Sequence, residues 1–459
     1  MDRRTFLKST AAIAIGLGGL GAYMRYKGSS GYINEVNGFG PLVDDPDDIF
    51  SLPEGFSYKI LSRTGDKMND GLFLPGRPDG MAAFEGPNGT VTLVRNHENN
   101  FDVEDSFHRG DENLFSSINP NIIFDAGEEG YRPAGGTTNL TYDPKTQTVV
   151  DQRASLVGTV LNCAGGPTPR GTWLTCEETH QTAGDGMQEN HGYVFEVPSK
   201  TSELGKQKPV AIRAMGRFNH EATATDPISG FVYQTEDEHE SLIYRYDPVD
   251  TDDLTKGGKL MALAIEGLAG MDTRNWPDSG NSITEGQEFQ TSWVEMDDVD
   301  NANDDLRFRG REKGAAIFAR GEGMWFGNGS IYFTCTNGGP NELGQIWQYT
   351  PNHSDPQNPD ATGILKLMSE PRDSNLIQMV DNITVAPWGD LIVCEDGPGP
   401  NFLRGIKPNG DVYTLGRNDY NSGELAGSCF SPDGTTLFFN LQTAEMTLAV
   451  TGPWGKIRS

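Results

Sequence analysis

The chain is patterned in short apolar runs that stop abruptly in polar residues. TLVRNHE (92–98), TWLTCEE (172–178), FVYQTED (231–237), IYFTCTN (331–337), LIVCEDG (391–397) and TLFFNLQ (436–442) all have this form. They are rich in β-branched and aromatic residues, and no long window repeats apolar positions at helical spacing, so they predict strands. Several are followed by a second strand-like run, as in GYVFEVP (192–198), LIYRYDP (242–248), QIWQYTP (345–351) and FLRGIKPNG (402–410). Turn sequences such as EGPNG (85–89), KPNG (407–410) and SPDG (431–434) punctuate them, as hairpins require.

Strand pairs recurring at tens of residues point to a β-propeller, whose blades take about 40–45 residues each. The expected fold is all-β, a six-bladed β-propeller with long inserted loops, occupying residues 31–459 as one domain. In that architecture equivalent strand ends converge on a central channel, whereas in a two-sheet sandwich they would scatter. Two polar, weakly patterned segments, 99–130 and 274–306, read as surface excursions.

Residues 1–30 are set apart from the fold. Paired arginines and Phe-Leu-Lys in MDRRTFLKST precede the mild, Gly-rich AAIAIGLGGLGAYM, and Arg25 and Lys27 close that stretch. This is the form of a twin-arginine export signal, too short and Gly-rich for a membrane span. The expectation is a protein handled by the export machinery and delivered to the periplasm or the exterior. An uncleaved N-terminal membrane anchor is the alternative, since no clear cleavage site follows.

Acidic residues number 65 against 36 basic ones, a net charge of -29, which excludes nucleic acid as a specific partner. The same carboxylates supply the oxygen ligands that hard cations need. The five cysteines are an odd number without CxxC spacing, so they form no disulfide framework.

Chemistry is suggested by the strand tips. TWLTCEETH (172–180) puts a thiol beside two carboxylates, and strand alternation places Cys176 and Glu178 on one face with Glu177 on the other. Cys176 reads either as a small core residue or as a metal ligand. Other tips offer Asn96, His97 and Glu98; His220 and Glu221; Glu236 and Asp237; Asn337; and Glu395 and Asp396. So many carboxylates cannot share one channel without cations to offset their repulsion. Arg320 precedes Glu322 by two residues and reads either as a phosphate-gripping fork or as its salt-bridge partner. Asn162, in the Gly-Pro loop of LNCAGGPTPRG, is a candidate donor to the same anion. There is no G-x-S-x-G elbow, P-loop or HExxH motif.

Longer motifs add a family likeness. DGMAAF (79–84), AGGTTNL (134–140), NCAGGPTPRGTWLTCEE (162–178), GRFNHEAT (216–223), RGEGMWF (320–326), DNITVAPWGDLIVCEDG (381–397) and AGSCFSPDGTTLFFNLQ (426–442) resemble the PhoX alkaline phosphatases. The resemblance implies a six-bladed propeller, twin-arginine export, and hydrolysis of phosphate monoesters, with some diesters as an extension. Phosphorylated small molecules would be the substrates, and the cofactors would be ferric iron (Fe3+) and calcium (Ca2+). It also implies Cys176 as an iron ligand, Glu178 and Glu221 as further ligands, Glu322 as a ligand facing the cluster, and Arg320 with Asn162 as phosphate contacts. Glu98, Glu177, Glu236, Asp237, Glu395 and Asp396 join the metal ligands on strand-end position. RGEGMWF departs from the family's arginine segment, and the chain is shorter than the family's larger enzymes. Two other functions use the same fold: a calcium-dependent propeller lactonase and a non-catalytic, calcium-stabilised binding propeller.

Overall fold

A computed structural model describes residues 31–458 apart from 281, 357 and 359–361. The export signal and anchor expected at 1–30 lie outside the described residues. Among the described residues, no helix is long and apolar enough to cross a membrane.

Six antiparallel hairpins frame the molecule. Their first strands are Pro78–Glu85, Asn162–Pro167, His220–Thr225, Gly321–Gly327, Val380–Val385 and Leu425–Phe430. Their second strands are Val91–His97, Thr172–Glu177, Val232–Glu236, Ser330–Cys335, Leu391–Glu395 and Thr436–Leu441, each coinciding with a run predicted above. Every first strand packs on the next, and Leu425–Phe430 packs back on Pro78–Glu85, so the first strands close a ring as in a propeller. The ring is sealed where Ser57–Arg63 pairs with Met446–Thr451, placing Ile60 opposite Leu448.

Among the described residues the hydrogen bonding gives five sheets, not six separate ones. Glu288–Glu295 pairs with Gly258–Ile265 on one side and Ile364–Ser369 on the other, fusing the third and fourth units into a nine-stranded sheet. That strand falls inside 274–306, so the surface excursion expected there is partly sheet. Its alternation of exposed Glu288, buried Phe289, exposed Gln290 and buried Thr291 is a strand signature, masked in the sequence by acidic flanks. Segment 99–130 is an excursion from the first blade and carries the short helix Glu112–Ser116, capped by Asp111.

Two local devices repeat around the ring. In each hairpin the register slips by one residue at the start of the first strand, between Pro78 and Met81, Asn162 and Gly165, His220 and Thr223, Gly321 and Met324, Val380 and Ile383, and Ala426 and Cys429. Such bulges bend a strand and re-aim side chains. The residues at five of these bends are Asp79, Cys163, Glu221, Glu322 and Asp381, and in the sixth Ala426 stands in their place. The first strands also crowd together. A Cβ on Gly80 would lie 2.5 Å from the Cα of Ala164, and one on Gly323 would lie 2.7 Å from the Cα of Asn382.

The second device ties each strand tip to the residue before the neighbouring first strand. The N–H groups of Glu98, Glu178, Asp237, Thr336, Asp396 and Gln442 donate to the carbonyls of Arg77, Leu161, Asn219, Arg320, Met379 and Glu424, at 2.9, 2.9, 3.1, 3.0, 2.9 and 3.1 Å. Arg77 (φ 46°), Leu161 (φ 49°), Arg320 (φ 45°) and Met379 (φ 46°) are left-handed. That conformation costs about 1–2 kcal/mol per residue, which the repeated hydrogen bond helps to offset.

Candidate metal centre

The bends are pinned from the preceding blade. Asn440 donates to the Asp79 carbonyl (2.6 Å), Asn96 to those of Cys163 (3.2 Å) and Ala164 (2.7 Å), Thr235 to that of Glu322 (2.5 Å) and Thr334 to that of Asp381 (2.5 Å). Each pin stands one residue before the end of a second strand, where the pleat turns it toward the next blade.

Cys176 occupies that same position in the second blade. It is fully buried among Leu174, Val194, Ile212, Met215 and Val232, and does not reach the channel. The thiol that the fold brings to the carboxylates is Cys163, thirteen residues earlier, at the bend of the first strand. The reason is geometric. The strand ends at Glu177, so Glu178 is freed from alternation and turns into the ring while Cys176 keeps the strand's orientation.

Among the described residues, three groups each bring potential ligand atoms within 4.8 Å of one another: Cys163 with Glu178 and Glu221; Glu221 with Glu322 and Asp381; and Asp381 with Asp396 and Glu424. Shared members make them a continuous chain across the ring. Glu424 enters from the residue preceding the sixth blade's first strand and compensates for Ala426. Electrostatics show the strain of this arrangement. Burial, then Glu322, Glu178 and Asp381, push Glu221 well above the usual carboxylate range. Burial, then Asp237 and Asp381, do the same to Glu322. Burial and Asp396 push Asp381 up to about 7, and burial raises Asp396 to about 6. The Cys163 thiol is driven up by burial and by Glu221 and Glu178. A multivalent cation beside these groups would oppose each of these shifts. Asp79 is a further buried acid of this set, raised by burial and Glu98.

The cations that the described residues bring to these groups are Arg320 and Arg77. Arg320 grips Asp237 with Nε and Nη2 (2.8 and 2.6 Å) and reaches Glu322 with Nη2 (2.9 Å). Burial alone would lower its pKa, yet Glu322 and Asp237 raise it. The salt bridge to Glu322 read from the sequence is present, and the Arg320 side chain is 30% exposed. Arg77 holds Glu98, which also accepts from Gln442 at 2.9 Å.

Other expected site residues lie elsewhere. Glu177 is buried and accepts from Val160, Gly192, Tyr193 and His191, the last at 2.6 Å. Glu236 accepts from Leu242 and Tyr244, both at 3.1 Å. Glu395 accepts from Phe402 and Arg404, the latter at 2.8 Å. All three tie a second strand to the start of the third and point away from the ring. Asn162 is likewise engaged inside its blade, accepting from Thr159 (2.5 Å) and donating to Thr175 (2.9 Å). The residues that strand-end reasoning missed, Cys163, Asp79, Asp381 and Glu424, sit on or before first strands. Cys163, Asp79 and Asp381 share a signal, an acid or thiol as the second residue of a first strand, inside segments too irregular to read as strands; Glu424 has no such equivalent.

A closed ring of first strands around buried carboxylates and one thiol defines a β-propeller with a metal-capable channel. The alkaline phosphatase PhoX family matches residues 37–445, and the chain belongs to that family, a family of phosphatase enzymes. Among solved structures it is similar to Pseudomonas fluorescens PhoX in complex with vanadate, a transition state analogue, with a TM-score of 0.66 and 18% identity over 92% of this chain and 97% of that one. A looser likeness, TM-score 0.38 and 12% identity over 92% of this chain and 100% of that one, is to the gluconolactonase XC5397 from Xanthomonas campestris. No curated protein matches the sequence.

Proposed function

We propose that the ring holds ferric iron and calcium and that the protein hydrolyses phosphate monoesters of small molecules, with diesters as secondary substrates. The observation that carries this reading is the Cys163–Glu178–Glu221 group beside two all-carboxylate groups. A thiolate among carboxylates suits iron, and carboxylates alone suit calcium. Bound there, such cations would supply Lewis acidity and charge neutralisation toward phosphate oxygens. The protein's own part is positional. Bulges and inter-blade pins fix the ligands before any cation arrives, and Arg320 offers donors to an anion seated over Glu322 and Asp381. The paired arginines at 3 and 4 support twin-arginine export, which would place this chemistry in the periplasm or outside the cell.

Elemental analysis of purified protein, paired with turnover of an aryl phosphate monoester and of a lactone, tests the reading. Iron together with calcium and phosphate release is expected. Calcium alone with lactone opening would overturn it.

A further inference from the structure

Arg77 and Arg320 occupy one structural position in two blades. Each immediately precedes a first strand, each is left-handed, and each gives its carbonyl to the N–H at the tip of its own second strand. The other equivalents are Leu161, Asn219, Met379 and Glu424, so the position is cationic only in these two. Their blades are first and fourth in a ring of six first strands, which sets the two guanidiniums on opposite sides of the carboxylates.

Both arginines are anchored by the same edge. Arg77 uses Nε (3.3 Å) and Nη2 (2.8 Å) on Glu98; Arg320 uses Nε and Nη2 on Asp237 and Glu322. Neither bond set engages Nη1. Arg77 stands further out, its side chain 50% exposed against 30% for Arg320. Asp396, at the mouth, lies in the field of both. Glu98 accepts from Arg77 and Gln442 at the same carboxylate oxygen.

We propose that Arg77 forms a second anion subsite at the rim of the ring, which receives a negatively charged group on the leaving side of the substrate. The favoured substrates are then phosphate esters whose leaving group carries its own anionic oxygens, a carboxylate or a further phosphate. This rests on the phosphatase reading: one phosphate sits at the cations and Arg320, and the rest of the molecule extends across the mouth toward Arg77. A guanidinium fork suits paired anionic oxygens where an ammonium does not.

The test uses the metal-loaded full chain and the variants Arg77→Gln and Arg77→Lys. Binding of orthophosphate and of pyrophosphate is measured by calorimetry, with metal content and aryl phosphate turnover measured in the same samples. The wild type should prefer pyrophosphate, and Arg77→Gln should reduce that preference about ten- to a hundredfold, with Arg77→Lys between them. An unchanged preference in Arg77→Gln would overturn the subsite. So would loss of metal together with both affinities, which would make Arg77 a counter-ion. Absence of aryl phosphate turnover in the wild type would overturn the phosphatase reading, while the pyrophosphate preference would still decide the role of Arg77.

Discussion

Glu177 and Glu178 are adjacent in sequence and serve opposite ends of the structure. Glu177 turns outward into its blade, where four donors satisfy it, and Glu178 turns inward to a ring of like charges. The pattern repeats at Glu236 and Asp237 and at Glu395 and Asp396. Glu177 and Glu395 are held by donors within their blades and Glu178 and Asp396 face other carboxylates, whereas in the middle pair Glu236 keeps one oxygen without a hydrogen-bond partner and Asp237 is held by Arg320. Folding and chemistry are thus assigned to neighbouring residues of the same type.

The contrast can be broken most severely at Glu177. Removing one partner of a buried ion pair typically costs about 3–5 kcal/mol, so Glu177→Ala should lose stability toward the lower end of that scale, leaving buried His191 with Asp125 as its remaining acidic partner. Denaturant unfolding of the metal-free protein measures it. Glu178→Gln should leave the metal-free protein at least as stable as the wild type while weakening cation binding; a large loss of metal-free stability there would erase the distinction.

The two thiols sharpen the comparison with a smaller effect. Cys176→Ala should cost about 1–2 kcal/mol through lost packing and leave metal content intact. Cys163→Ser should change stability less and remove the thiolate ligand, lowering the iron content read by elemental analysis. Retention of iron in Cys163→Ser and its loss in Cys176→Ala would reverse the assignment.

The gentlest probe is pH. Burial opposes protonation of His191, but Glu177 and Asp125 outweigh it and lift the pKa to about 9. A raised imidazole pKa contributes stability that is complete below its ordinary value near 6.5 and is lost as pH rises through about 9. For the ring acids the sign is also negative with rising pH, but in a lower window. Asp381 stays protonated in the folded chain up to about 7 while an unfolded aspartate ionises near 3.8, so metal-free stability should fall across that interval. Bound cations should flatten the lower slope and leave the upper one. Melting curves from pH 4 to 10, with and without metal, separate the two.

Much of the frame was legible in the sequence because second strands are short apolar runs that stop at polar residues. TLFFNLQ and LIVCEDG needed no tertiary information to be read as strands. The first strands were not legible in the same way. NCAGGP and DGMAAF are bulged and crowded, so small residues replace the alternating pattern, and the ligands they carry had no periodicity to announce them. Cys163 lies inside a quoted motif, but the family resemblance points to Cys176 at the strand tip of the same motif, and only the bulge at Cys163 tells the two thiols apart. Glu288–Glu295 was hidden for another reason, since its role as a bridge between two units depends on partners far away in the chain.

The pairing of Ser57–Arg63 with Met446–Thr451 has a meaning in time as well as in space. A ribosome makes the first of these strands early and the last one near the end, and until both exist the circle is open. Five blades can stack locally as they emerge, yet the channel has no fixed bore until its final strand meets a partner made almost four hundred residues before. A truncated chain would keep most of its ligands and none of their convergence, and cation uptake would be the final event in the protein's assembly.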